Sequence, residues 1–143
     1  MDDSQKASNA ARGPSSCATG QFATNDDPSM KEILPLEFDE LRKQKTPHVL
    51  VDVRVPEQFD LCALDGAVNI RLREIVERIE EVEELSNGTV PVYCICRRGV
   101  ASIDATRLLG ELRADHPKIH SVTNVKGGLD EWRRTVDKSF PRY

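Results

Sequence analysis

From Lys31 onward two spacings of apolar residues alternate along the chain. Leu36, Phe38 and Leu41 recur at helical steps just after Pro35 and predict a short helix. HVLVDV, residues 48–53, is apolar and β-branched without alternation, the pattern of a strand covered on both faces. A polar stretch, PEQFD, separates it from a second short strand around 67–70. In LREIVERIEEVEEL, residues 72–85, Leu72, Ile75, Val76, Ile79, Val82 and Leu85 return every three or four positions and leave Glu77, Glu80, Glu81 and Glu84 outside. This predicts one amphipathic helix, closed by Asn87-Gly88. A third strand follows over 90–95, then a helix carrying Ala105, Leu108, Leu109 and Leu112. A fourth strand over 121–125 runs into Gly127-Gly128 and a last helix with Leu129 and Trp132. Strand and helix in this rhythm predict an α/β domain, a mostly parallel central sheet with helices on both faces.

Residues 1–30 break the rhythm. They hold Phe22 as their one aromatic residue and no Leu, Ile or Val. Such a segment cannot bury enough surface to offset the entropy of ordering it, so it reads as a disordered tail or interdomain linker with Cys17 inside it. One domain is expected over 31–143, long enough for a core of its own. The 143 residues are 38% hydrophobic and 31% charged, with a net charge of −4. Beyond residue 30 the chain carries 18 cations and 20 anions, a near-neutral balance with no basic patch interleaved with aromatics, so no direct nucleic-acid partner is expected. No apolar run reaches the length of a membrane span, and the acidic start MDDSQ is unlike a leader, so a soluble cytosolic (cytoplasmic) protein is expected. Four cysteines at 17, 62, 94 and 96 are too few and too irregular for a secreted disulfide framework, and reduced thiols are expected.

The chemistry concentrates in VYCICRRGVAS, residues 92–102. A strand delivers Cys96 to its carboxyl end, and Arg97, Arg98, Gly99, Val100 and Ala101 make the turn into a helix that begins near Ser102. Such a turn aims several backbone N–H groups at one spot, and the start of the helix adds partial positive charge, so a thiolate there is stabilised. Gly99 supplies the backbone freedom a tight cradle needs, Arg97 and Arg98 add positive charge at its mouth, and Ser102 is placed to cap the helix. A small buried hydrophobe is the plainer reading of Cys96. Cys94 shares its face one step deeper and is expected to be structural. A Cys-x-Cys pair holding zinc lacks a second ligand pair, so no metal site is expected. A cysteine phosphatase needs Cys-x5-Arg, and the sixth residue after Cys96 is Ser102, after Cys94 Val100, and after Cys62 Val68. None is arginine. His48, His116 and His120 read as ordinary loop or strand-edge residues.

VLVDVRVPEQFD, LDGAVNIRL, VYCICRRGVASIDATRLL and VTNVKGGLDEW, in that order and spacing, resemble the rhodanese-like sulfurtransferase domain over about 31–143. Cys62 in FDLCALDGAVNI and the ending VDKSFPRY narrow the resemblance. They are similar to the C-terminal rhodanese-like domain of eukaryotic adenylyltransferase-sulfurtransferases of the molybdopterin-synthase sulfurylase type. The resemblance implies that Cys96 carries a persulfide, taken from a cysteine desulfurase, another persulfide donor or thiosulfate, and held by the loop from Arg97 to Ser102. It implies transfer of that sulfur to the adenylated C-terminus of a ubiquitin-like sulfur carrier, serving tRNA wobble-uridine thiolation and, in many members, molybdenum cofactor synthesis. Asp52 and Arg54 match the family's Asp-Val-Arg strand end and are expected to support the loop; Gly127, Gly128 and Trp132 match its closing motif and are read as packing. Cys62 is open between a structural thiol, the favoured role, and a relay or disulfide with Cys96. No cofactor is expected in this domain, ATP and zinc belonging to an adenylation domain. That partner domain shows no nucleotide loop or zinc Cys pairs here, so the chain is expected to be the sulfurtransferase domain alone. A stand-alone thiosulfate sulfurtransferase and a silent docking module of the same fold are the alternatives.

Overall fold

The computed structural model describes residues 30–142; the segment read as a tail lies outside them apart from Met30, and with it Cys17. The elements run β1 (Lys31–Ile33), α1 (Pro35–Lys43), β2 (Val49–Asp52), α2 (Pro56–Leu61), β3 (Val68–Asn69), a 3-10 turn (Leu72–Glu74), α3 (Ile79–Ser86), β4 (Val92–Ile95), α4 (Ala101–Leu112), β5 (Val122–Val125) and α5 (Gly128–Thr135). The strands form one sheet in the order β1-β5-β4-β2-β3, and every neighbouring pair is parallel. The α/β class is as expected, with a fifth strand added at the edge. β1 is only three residues, KEI, with two of them exposed, too short and too polar to register as an apolar run. Among the described residues no helix is long and apolar enough to cross a membrane.

The two central strands, β2 and β4, are buried at every position. Successive side chains leave a strand on opposite faces, so an unbroken apolar run serves two cores. On one face Val49, Val51, Val92, Cys94 and Cys96 pack against α3 and α4 through Ile79, Val82, Ala105 and Leu109. On the other, Leu50, Tyr93 and Ile95 meet α1 and α5 through Phe38, Leu129 and Trp132. Phe38 packs against Tyr93 at 4.9 Å between ring centroids and edge-on to Trp132 at 6.3 Å. α1 starts at Pro35, whose ring suits the first helical position, and Glu37 accepts a hydrogen bond from the Leu34 N–H at 3.0 Å.

Residues 72–85 do not form one helix. Leaving β3, the Leu72 N–H bonds back to the Val53 carbonyl at 3.2 Å, and a single 3-10 turn follows. Arg78, at φ −110° and ψ 22°, resets the helical phase before α3 begins at Ile79. The consequence shows in burial: Ile75, Ile79 and Val82 reach the core, whereas Val76 and Leu85 are exposed. Ser86 takes the inward place two turns after Ile79. It is fully buried because its hydroxyl donates to the Val90 carbonyl at 2.7 Å and accepts from the His120 N–H at 2.8 Å. Asn87, in the left-handed region at φ 49°, ends the helix as its Asn-Gly pair implies. The stretch PEQFD, read as merely polar, forms α2 with Pro56 at its first position.

Candidate active site

From β2 the chain passes to β3 on one side, and from β4 to β5 on the other. The connections leaving these two neighbours diverge and open a crevice above their carboxyl ends, where open α/β sheets bind ligands. Cys96 is the first residue beyond β4, and the segment leaving β2 runs alongside, its Val53 N–H donating to the Ile95 carbonyl at 3.0 Å. Cys96 is 4% exposed. Its sulfur is not surrounded by hydrocarbon alone: the Gly99 N–H lies 3.0 Å from Sγ, the Ser102 N–H 3.3 Å, and the Ser102 Oγ 3.3 Å. The basket expected from the sequence is present, built from the turn and the first residues of α4. Two backbone donors converge on the sulfur, an arrangement able to hydrogen-bond a sulfur atom that carries or receives charge.

The basket is held from outside by α5. The Leu129 N–H donates to the Cys96 carbonyl and the Asp130 N–H to the Arg97 carbonyl, each at 2.8 Å, so the N-terminus of α5 clasps the backbone of the loop. This approach requires three glycines. Gly99, Gly127 and Gly128 all have positive φ, and a Cβ on Gly99 would stand 2.7 Å from the Gly127 nitrogen. The closing Gly-Gly motif, read as packing, therefore fastens the loop.

The family comparison agrees with this geometry. The chain matches the rhodanese-like domain family over residues 34–135. It belongs to that family. This rhodanese domain is 35% identical over 132 residues to the adenylyltransferase and sulfurtransferase MOCS3 of Drosophila ananassae, covering 87% of the chain and 28% of the relative. It is 32% identical over 114 residues to the adenylyltransferase and sulfurtransferase uba4 of Sclerotinia sclerotiorum, covering 75% and 25%. The chain thus spans about a quarter of the length of the curated relatives it matches. Among solved structures, the reduced CoADR-RHD of Bacillus anthracis superposes with a TM-score of 0.64 at 26% identity, over 81% of this chain and 19% of that one.

The other residues singled out in the rhodanese domain divide by position. Arg98 and Val100 are exposed at the rim and Ala101 is half-buried. Arg97 is turned toward α5, its Nε 3.9 Å from the Asp130 carboxylate, so the two arginines do not act alike at the mouth. Ser102 does not cap α4. The helix starts one residue earlier at Ala101, with Val100 at the cap position, and Ser102 is left inside the first turn facing the sulfur. Asp52 and Arg54 form a buried pair at 2.7 Å. Arg54 also donates to the Cys62 carbonyl at 2.6 Å and the Gln58 carbonyl at 3.3 Å, clipping α2 and the half-buried Cys62 onto the end of β2. Asn69, which sequence reasoning passed over inside LDGAVNIRL, donates to the carbonyls of Asp52 (3.0 Å) and Arg54 (2.9 Å) and locks the same strand end. Its only signal was a polar residue in an apolar strand. The histidines engage elsewhere: His48 with the Thr46 carbonyl, His116 with Glu83, His120 with Ser121.

Cys62, Cys94 and Cys96 are all free thiols, so no disulfide links Cys62 to Cys96 here. Cys94 is fully buried, and burial pushes its thiol up from 9.0 to about 12, against a smaller opposing effect of the Thr106 hydrogen bond. The folded chain keeps this proton where the unfolded chain loses it. The resulting stabilisation is complete below about pH 9 and is lost as the pH climbs toward about 12, at up to about 1.4 kcal/mol per unit. Urea unfolding between these limits is expected to show a smaller loss of stability with pH in Cys94→Ala than in the wild type. Identical slopes would mean that the thiol titrates normally.

Proposed function

We propose that this rhodanese domain is a sulfurtransferase that carries a persulfide on Cys96 and passes its outer sulfur to the adenylated C-terminus of a ubiquitin-like sulfur carrier. The observation that carries the reading is the Cys96 sulfur facing the Gly99 and Ser102 N–H groups at the sheet's carboxyl edge. Support for the finer part comes from the relatives, whose names couple adenylyl transfer with sulfur transfer. In the first step the Cys96 thiolate attacks the sulfane sulfur of a persulfide donor such as a cysteine desulfurase. A sulfur–sulfur bond forms on Cys96, the donor's bond breaks, and its electron pair leaves with the donor thiolate. The outer sulfur of Cys96–S–S⁻ then attacks the carrier's acyl-adenylate, AMP departs with the carbon–oxygen pair, and an acyl disulfide remains. A second thiol, contributed by an adenylation domain or a partner, attacks the Cys96 sulfur and releases the carrier as a thiocarboxylate for tRNA wobble-uridine thiolation, with molybdenum cofactor synthesis as a further destination.

Loop amides and Arg98 receive the anionic donor in this scheme, and the Asp52–Arg54 pair holds the wall of the crevice. The test is mass spectrometry after exposure to a persulfide donor, followed by addition of an adenylated carrier. One extra sulfur on the peptide containing Cys96, lost as the carrier gains a thiocarboxylate, is expected. Sulfur on Cys62 or Cys94 instead would overturn the assignment of the nucleophile. A persulfide that forms but never reaches the carrier would leave a stand-alone thiosulfate sulfurtransferase.

A further inference from the structure

The basket around Cys96 has a feature that its amides do not explain. Backbone N–H groups can only donate, so the Gly99 and Ser102 nitrogens can bond the sulfur's lone pairs but offer no acceptor to an S–H proton. A hydroxyl can do both. Ser102 is fully buried, and its Oγ stands 3.3 Å from Sγ in a geometry where the thiol donates to it. Its position is set by the helix rather than by the loop. The Ser102 carbonyl accepts the Thr106 hydroxyl at 2.7 Å one turn down α4, and the Ile103 N–H bonds the Val100 carbonyl at 3.1 Å, so the first turn is fixed at both ends.

We infer that the Ser102 hydroxyl is a second catalytic group of this site, accepting the hydrogen bond of the resting Cys96 thiol and turning to donate to the sulfur once it is an anion. It carries no net charge and takes no proton away; it changes the direction of one hydrogen bond. Removing it leaves the anion two donors instead of three. The same donation acts at the end of the cycle. When an acceptor such as cyanide takes the outer sulfur, the sulfur–sulfur bond breaks and its electron pair returns to the Cys96 sulfur, which leaves as the anion that the hydroxyl holds. The inference deepens the sulfur-transfer reading and rests on it for this last step, whereas the first step concerns the thiolate alone.

The test therefore reads the thiolate without any sulfur transfer. Alkylation of Cys96 by iodoacetamide at neutral pH, followed on its own peptide by mass spectrometry, is expected to slow about tenfold in Ser102→Ala. Because this residue is buried, the isosteric pair Ser102→Thr and Ser102→Val separates hydroxyl from shape. Thr is expected to react within about threefold of the wild type and Val to be as slow as Ala. Equal rates in Thr and Val, or a wild-type rate in a folded Ala variant, would overturn the role of the hydroxyl. A slowed alkylation in a protein that never accepts sulfur would instead sink the transfer reading and leave this one standing.

Discussion

Cys96→Ala is expected to lower thiosulfate-to-cyanide sulfur transfer by about a thousandfold or more, to the level of the uncatalysed background. The size follows from the chemistry. The sulfur must rest on the protein between donor and acceptor, and no other described thiol has a comparable seat. Cys94 lies one strand step deeper, fully buried and held in its neutral form by that burial. Cys62 is half-buried; its carbonyl accepts from the Arg54 guanidinium and its N–H donates to the Gln58 carbonyl, contacts that fasten it rather than activate it. Cys94→Ala is accordingly expected to keep most of the transfer activity. Thiocyanate formation, measured for both variants beside circular dichroism, decides the matter: equal losses would move the nucleophile or reduce the site to a packing role. Aryl phosphates are expected to remain intact with every variant, since the sixth residue after Cys96 is Ser102, whose small side chain is already engaged with the sulfur.

The place of the Cys96 basket was legible because several local signals coincide there. An apolar strand, a cysteine, a glycine at a turn and the start of an amphipathic helix all fall within VYCICRRGVAS, and each retains its meaning in three dimensions. The central strands were legible for the same reason, since burial on both faces demands the unbroken runs that were read. What escaped depends on long-range contact. β1 is a strand because β5 offers it an edge, in register from Lys31 with Thr123 to Ile33 with Val125, and its own three residues carry no pattern. The break before α3 comes from the pinning of Leu72 to Val53, nineteen positions away, which periodicity along 72–85 cannot register. The sequence puts Ser102 at a helix cap, because serine before an apolar face usually caps. Its true surroundings depend on α4 beginning one residue earlier, a shift small in sequence and decisive in chemistry. Gly127-Gly128 was visible as a motif, but the purpose of its second glycine needed the loop that lies against it.

That second glycine carries the other large expected effect. Gly128→Ala should cost about 2–4 kcal/mol of stability and lower sulfur transfer about a hundredfold. Gly128 sits at φ +61°, and a Cβ built there would stand 2.3 Å from the Cys96 carbonyl oxygen and 2.8 Å from the Arg97 carbonyl carbon and oxygen. These are backbone atoms, so no side chain can rotate away. Ordinary contact begins near 3.4 Å, which means the loop must retreat by about 1 Å, a displacement large enough to misplace a reacting group by two orders of magnitude in rate. Retreat also stretches the bonds from Leu129 and Asp130 that clasp the loop. Loss of activity should therefore exceed what a melting curve alone implies at the assay temperature. Gly110→Ala supplies the comparison: this exposed glycine lies within α4, nothing stands within 4 Å of its added Cβ, and the change is expected to stabilise the fold by about 0.5–1 kcal/mol with transfer unchanged. If Gly128→Ala instead melted with the wild type and transferred sulfur at a rate within threefold of it, the clasp between α5 and the Cys96 loop would not be what holds the sulfur in place.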